Sequence, residues 1–196
     1  MISTLHGTLF EKDPNGVVIE CCGVGYEAAV PISTYGELPR VGEECRLFTR
    51  HVVREDSEQL YGFATKGERD VFDMLMNVSG VGPKLAICVL SGMMVDEFKK
   101  AVSGGDVKRI SSVKGIGKKT AERIIVELKG RIDPVEAMAL TAGEKKDGGV
   151  VRDAVMALVT LGYSQDQAGA MVRAALDSGA DSGDAQQLVR KAISSR

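Results

Sequence analysis

Val78-Ser-Gly-Val-Gly-Pro-Lys-Leu-Ala86 returns 35 residues later as Val113-Lys-Gly-Ile-Gly-Lys-Lys-Thr-Ala121. At that shift Gly80, Gly82, Lys84 and Ala86 fall on Gly115, Gly117, Lys119 and Ala121, and Val81 falls on Ile116. Each copy is a Gly-aliphatic-Gly turn that runs straight into a helix with basic residues in or beside its first turn. Glycine lets the backbone turn tightly, and the unbonded N–H groups of the new helix then point outward as an anion site. A single copy would read equally well as an ordinary helical hairpin. Two copies with the same basic spacing point to phosphate binding, with Gly80, Gly82, Gly115 and Gly117 shaping the turns and Lys84, Lys118, Lys119 and Arg123 supplying charge.

The charge along the chain agrees. The net charge is −2 overall, but residues 1–64 carry five Lys/Arg against ten Asp/Glu, and residues 65–131 carry thirteen against eight. The positive middle segment holds both repeats, as attraction to a polyanion requires. Residues 132–196 carry seven against nine and are slightly acidic.

Working outward, residues 1–64 read as five short strands: Ile2–Phe10, Val17–Cys22, Tyr26–Val30, Cys45–Val53 and Gln59–Phe63. Lys12-Asp-Pro-Asn-Gly16 is the first strong turn, and 31–42 is a polar crossover with room for a short helical turn. So many short strands suit a small closed or nearly closed barrel, with a three-on-two sandwich as the competing arrangement. Glu55 and Asp56 fall at the tip of the hairpin joining the last two strands. On sequence alone they are an ordinary solvated turn, and no histidine or second carboxylate pair beside them suggests acid–base chemistry.

Residues 65–134 read as helices, with Leu85, Ala86 and Val89 and then Ala121, Ile124, Ile125 and Leu128 on buried faces. Residues 135–149 are polar and glycine-rich, the composition of a flexible linker. Residues 150–196 form a three-helix candidate. Val151, Val155, Leu158 and Leu161 are expected along one inward face, a helix from Gln165 is capped by Ser164, and a last helix begins at Ser182 or Asp184 with Leu188, Val189, Ala192 and Ile193 inward. A small helical module on a tether favours protein docking over DNA binding, given its acidity.

Several classes of function find no support. The run around Lys118-Lys119-Thr120 is no nucleotide loop, because Ser112 stands where that motif needs its first glycine. Cys21, Cys22, Cys45 and Cys88 form no C-x-x-C and lack a histidine cluster, so neither a metal nor a disulfide framework is expected. No 18-residue apolar run exists and the first residues lack the pattern of a secretory signal, so the expected compartment is the cytoplasm, with no membrane contact.

The combination of Val-Val-Arg-Glu-Asp at 52–56 with Leu-Tyr-Gly-Phe at 60–63, Gly-Val-Gly-Pro-Lys-Leu-Ala at 80–86 and Gly-Ile-Gly-Lys-Lys-Thr-Ala-Glu-Arg at 115–123 resembles the RuvA family, the junction-recognising subunits of bacterial Holliday-junction branch-migration machinery. Leu161-Gly162-Tyr163 fits that family's third domain. The resemblance implies a multidomain chain: an N-terminal five-stranded OB-fold β-barrel, a central all-α domain with two helix-hairpin-helix motifs, and a C-terminal three-helix domain on a flexible linker. It implies four-way junction DNA as ligand, homotetramers sometimes stacked as octamers, a RuvB ATPase recruited through residues 150–196, and a RuvC resolvase sharing the junction. It makes Glu55 and Asp56 an acidic pin near the junction centre. No cofactor, metal or catalytic residue is implied. The rival reading is a helix-hairpin-helix repair nuclease or glycosylase, which would need a catalytic pocket beyond the hairpins.

Overall fold

The structure, a computed structural model, describes residues 1–14, 16–132, 147–180 and 184–194. It divides into two units, Met1–Phe98 with Asp106–Glu127 and Lys99–Gly105 with Leu128–Arg196. The barrel and both glycine turns fall in the first.

Strands β1 (Thr4–Asp13), β2 (Gly16–Cys21), β3 (Val24–Ala29), β4 (Glu44–Val53) and β5 (Glu58–Phe63) close into a barrel in the order β1-β2-β3-β5-β4. Antiparallel pairing of β1 with β4, from Thr4↔Phe48 to Thr8↔Glu44, shuts the ring and removes the sandwich alternative. β3 and β5 run parallel through Ala28↔Leu60 and Ala29↔Tyr61. Alternation puts Leu5, Leu9, Val17, Ile19, Ala28 and Leu47 inside. Gly7 permits the close approach of β1 to β2, since a Cβ there would collide with the Glu20 carbonyl oxygen. The polar crossover contains the short helix α1 (Ile32–Glu37), between β3 and β4.

Helix α2 (Lys66–Met76) follows β5 almost at once. Thr65 Oγ1 accepts from Glu68 N at 3.2 Å, and Glu68 Oε2 accepts in return from Thr65 N at 3.2 Å, a capping box. The Glu68 carboxylate is buried and binds more widely. Its Oε2 also accepts from Thr34 Oγ1 (2.9 Å) and Ala64 N (3.1 Å), and its Oε1 accepts from Ser33 Oγ. One acid thereby ties α1, the end of β5 and the start of α2 together, with its acceptors filled as burial demands. Phe72, fully buried on α2, packs its ring 5.0 Å from Tyr61 and 5.1 Å from Phe63, both on β5.

The next helices are α3 (Pro83–Gly92), α4 (Val95–Gly104), α5 (Val107–Ser111) and α6 (Lys118–Leu128). Asp106 caps α5 by accepting from Arg109 N at 2.9 Å. The Arg109 guanidinium reaches back to Glu97 and donates to Ser112 Oγ at 2.8 Å, and the Arg109 hydrogen bond holds the Glu97 carboxyl below the usual carboxylate range.

The last three helices are α7 (Asp147–Thr160), α8 (Gln165–Asp177) and α9 (Ala185–Ser194). They enclose Val151, Val155, Leu158, Ala168, Val172 and Leu188. Ser164 and Gln167 make the expected N-terminal cap of α8 a full capping box. Asp184 starts α9 by accepting from Gln186 N at 2.8 Å; Ser182 lies outside the described residues. Two inward assignments need correction. Leu161 is 62% exposed, because α7 ends at Thr160 and the chain reverses through Gly162 at φ +96°, which turns Leu161 outward. Ile193 is 42% exposed in the last turn of α9, beyond the final buried residue, Ala192. Most of the expected linker, 135–149, lies outside the described residues, and α7 already begins at Asp147 within its last three.

Candidate nucleic-acid interface

The two glycine turns match bond for bond. Val81 N donates to Val78 O at 3.0 Å, and Ile116 N donates to Val113 O at 3.0 Å. Ala86 N reaches Gly82 O at 3.0 Å, and Ala121 N reaches Gly117 O at 3.0 Å. Gly80 and Gly115 both adopt the left-handed conformation, at φ +83° and +92°. An L side chain there costs about 1–2 kcal/mol. Gly82 caps α3 with no side chain to satisfy the first-turn N–H groups, and Pro83 sits at N1 where its missing N–H is no loss. The Lys84 and Leu85 amides of the first turn thus have no side-chain cap and lie beside the exposed Lys84 side chain, an arrangement suited to an anion.

Each turn also rests on the second helix of the other hairpin. A Cβ on Gly80 would lie 3.5 Å from Arg123 Nη1, and one on Gly115 would lie 3.6 Å from Leu85 Cδ1. Arg123 Nη1 donates to Ser79 O at 3.1 Å, and Ser79 N donates to Glu127 Oε2 at 3.3 Å. Arg123 is thus partly spent on holding the first turn. Lys84, Lys118 and Lys119 are exposed; Lys118 lies 3.9 Å from Glu122, whereas Lys84 and Lys119 have no ion pair among the described residues.

The acidic hairpin extends the β4–β5 ladder past its last pair, Val53↔Glu58. Arg54 N donates to Ser57 O at 2.8 Å and closes the tip, leaving Glu55 and Asp56 exposed. A cleft lined by Arg54, Ser57, Gln59, Tyr61, Gly82 and Lys84 joins the foot of this hairpin to the first glycine turn. The pin and the first turn therefore open on one side of the same unit. Among the described residues no group of three or more His, Cys, Asp or Glu gathers as a metal site, and no helix is long and apolar enough to cross a membrane.

Residues 1–62 match the family described as RuvA N terminal domain, 72–130 that of SAM-like helix-hairpin-helix tandem, and 149–195 that of RuvA, C-terminal domain. A protein of Rubrobacter xylanophilus, named Holliday junction branch migration complex subunit RuvA, is 49% identical over 168 residues, covering 86% of each chain. The chain belongs to the RuvA family. Relatives of the same name from Neisseria meningitidis (46% identical, covering 97% of this chain and 98% of that one) and Xylella fastidiosa (44%, covering 98% and 97%) extend the match across nearly the whole length.

Within the RuvA architecture three features of the site went unread in the sequence. Glu68 had a signal, the Thr65-x-x-Glu68 capping pattern, but nothing local connects it to Ser33 and Thr34. The clamp of Arg123 and Glu127 on Ser79 spans more than forty residues. Arg54 passed as a neighbour of the acidic pair, although the fold sets it beside the first glycine turn.

Proposed function

We propose that this chain binds four-way-junction DNA, holds the junction open and square-planar, and recruits a RuvB-type ATPase that drives branch migration in recombination and repair. The matched pair of turns carries the reading: two anion-binding helix starts of the same geometry, fixed against each other, in a unit that also presents an acidic hairpin. Such turns contact backbone phosphates, which positions a duplex without reading its bases. Gly80, Gly82, Gly115 and Gly117 shape the grips, Lys84, Lys118 and Lys119 add charge, and Arg123 both braces the first turn and adds charge. The acid of the pin then has a use. Around a fourfold axis the Glu55 and Asp56 carboxylates of every copy converge on the crossover, where like charge repels the phosphate backbone and keeps the centre open.

In this reading the protein is a homotetramer, or two tetramers stacked as an octamer, working in the cytoplasm. Residues 150–196 meet the motor, and a RuvC-type resolvase shares the open junction. The chain guides DNA and performs no bond chemistry of its own.

Charge tests the two parts separately. Glu55→Gln with Asp56→Asn is expected to leave folding and junction affinity intact while altering the preference for branched over linear DNA or the rate of motor-driven migration. Wild-type behaviour in both would remove the pin's role. Lys119→Ala is expected to weaken binding most at low salt, because neutralising one fewer phosphate flattens the plot of log affinity against log salt by about 0.9. A titration with the wild-type slope would show that this lysine is merely solvated.

A further inference from the structure

The hairpin that carries Glu55 and Asp56 is polarised. Arg54 shares their four-residue turn, is exposed, and forms no ion pair with either among the described residues. It lines the cleft of about 350 Å³ at the foot of the pin, together with Gly82 and Lys84 of the first glycine turn. Burial pushes the Tyr61 hydroxyl up, and the Arg54 charge opposes that shift. Tyr61 Oη donates to Gln59 Oε1, which occupies that acceptor and leaves the Gln59 amide nitrogen as a donor. The cleft thus offers a guanidinium, an ammonium, an amide donor and the Ser57 hydroxyl beside the uncapped start of α3, with no carboxylate in its lining.

A neighbouring groove makes the contrast. It shares Gln59, Tyr61 and Lys84 with the cleft, but carries Glu27 and Glu58 in place of Arg54. The cleft's lining carries two cations and no carboxylate, and the groove's carries one cation and two carboxylates. A base is a poor fit for the cleft, because Tyr61 is only 3% exposed and has no open ring face for stacking.

From this geometry, and resting on the junction-binding reading above, we propose that Arg54 and Lys84 form one subsite for a single backbone phosphodiester of the strand that the pin turns aside at the branch point. The carboxylates at the tip repel the backbone and the cations at the foot catch it, so a strand leaving the crossover is passed from the pin to the first hairpin. The guanidinium presents paired donors suited to phosphate oxygens, and the ammonium in the same lining adds a point charge.

The test uses the full chain and synthetic four-way junctions in which neutral methylphosphonates replace the phosphates either beside the branch point or far out in the arms. Branch-point substitution is expected to weaken binding by the wild type and to weaken Arg54→Ala, which keeps only Lys84 on that phosphate, by a clearly smaller factor, while arm substitution weakens both equally. Arg54→Lys is expected to retain the branch-point dependence. Because the two cations share one phosphate, Arg54→Ala and Lys84→Ala combined are expected to cost less than the product of their separate fold-losses. If Arg54→Ala loses as much as the wild type on branch-point substitution, or if the two losses simply multiply, the subsite is overturned and the junction reading stands. A wild type that binds four-way and linear DNA equally well would instead overturn the junction reading, and this subsite with it.

Discussion

Removal of residues 147–196 is expected to leave junction binding intact and to abolish stimulation of the ATPase motor outright. The cut falls where α7 begins, so no helix is divided. Every residue assigned to the DNA-facing site lies between Arg54 and Arg123, and the core of α7–α9 is built from residues 151–192. The removed segment lies in the net-acidic last third of the sequence and is expected to add little to phosphate affinity. Fluorescence anisotropy on a labelled junction and ATP turnover by the motor on the same DNA read the two halves independently. Loss of DNA binding in the truncated chain would show that the last helices belong to the DNA-binding unit and would reverse their assignment.

The second large effect is expected at Phe72. Its ring is fully buried and meets Tyr61 and Phe63 at centroid distances of 5.0 and 5.1 Å, so Phe72→Ala removes the aromatic wedge between the barrel and the first hairpin. Truncations of this kind cost about 3–5 kcal/mol. For a protein of this size the thermal midpoint should fall by on the order of 10 °C. Val126→Ala, on an outward face of α6 at 79% exposure, is the control and should scarcely move it. At temperatures where Phe72→Ala stays folded, junction preference should drop more than linear-duplex affinity, because β5 carries the foot of the pin while α2 leads into the first turn. Equal losses on both substrates would mean that Phe72 serves stability alone.

Much of this molecule is written locally. The repeated Gly-aliphatic-Gly turns were legible because backbone conformation at Gly80 and Gly115 allows few other residues, and that constraint shows in a single chain. The strands were legible because Leu5, Leu9, Val17 and Ile19 alternate with outward residues at the period of a pleat. Ring closure was harder. It depends on β1 reaching β4 and on a short parallel pairing between β3 and β5, and neither leaves a mark on local pattern. Leu161 misled because helical periodicity continues on paper after the helix has stopped; Gly162 two residues past Thr160 was the available warning. The roles of Glu68 and Arg123 were hidden for another reason. A charged residue on an amphipathic helix looks solvated until the fold brings it donors or acceptors from another element, as Ser33 and Thr34 do for one and Ser79 does for the other.

The reciprocal bracing of the two turns has a mechanical consequence. Since each turn is propped by the other hairpin's second helix, their separation is a property of the folded protein and does not wait for DNA. On the proposed reading, in which both turns grip phosphates, the pair is a calliper set in advance to one spacing. A calliper spends little ordering entropy when it closes on its object, and it rejects objects of the wrong width. On that reading, selection among DNA forms would come from a fixed gauge within each subunit, before any symmetry between subunits or any motor adds its own demands.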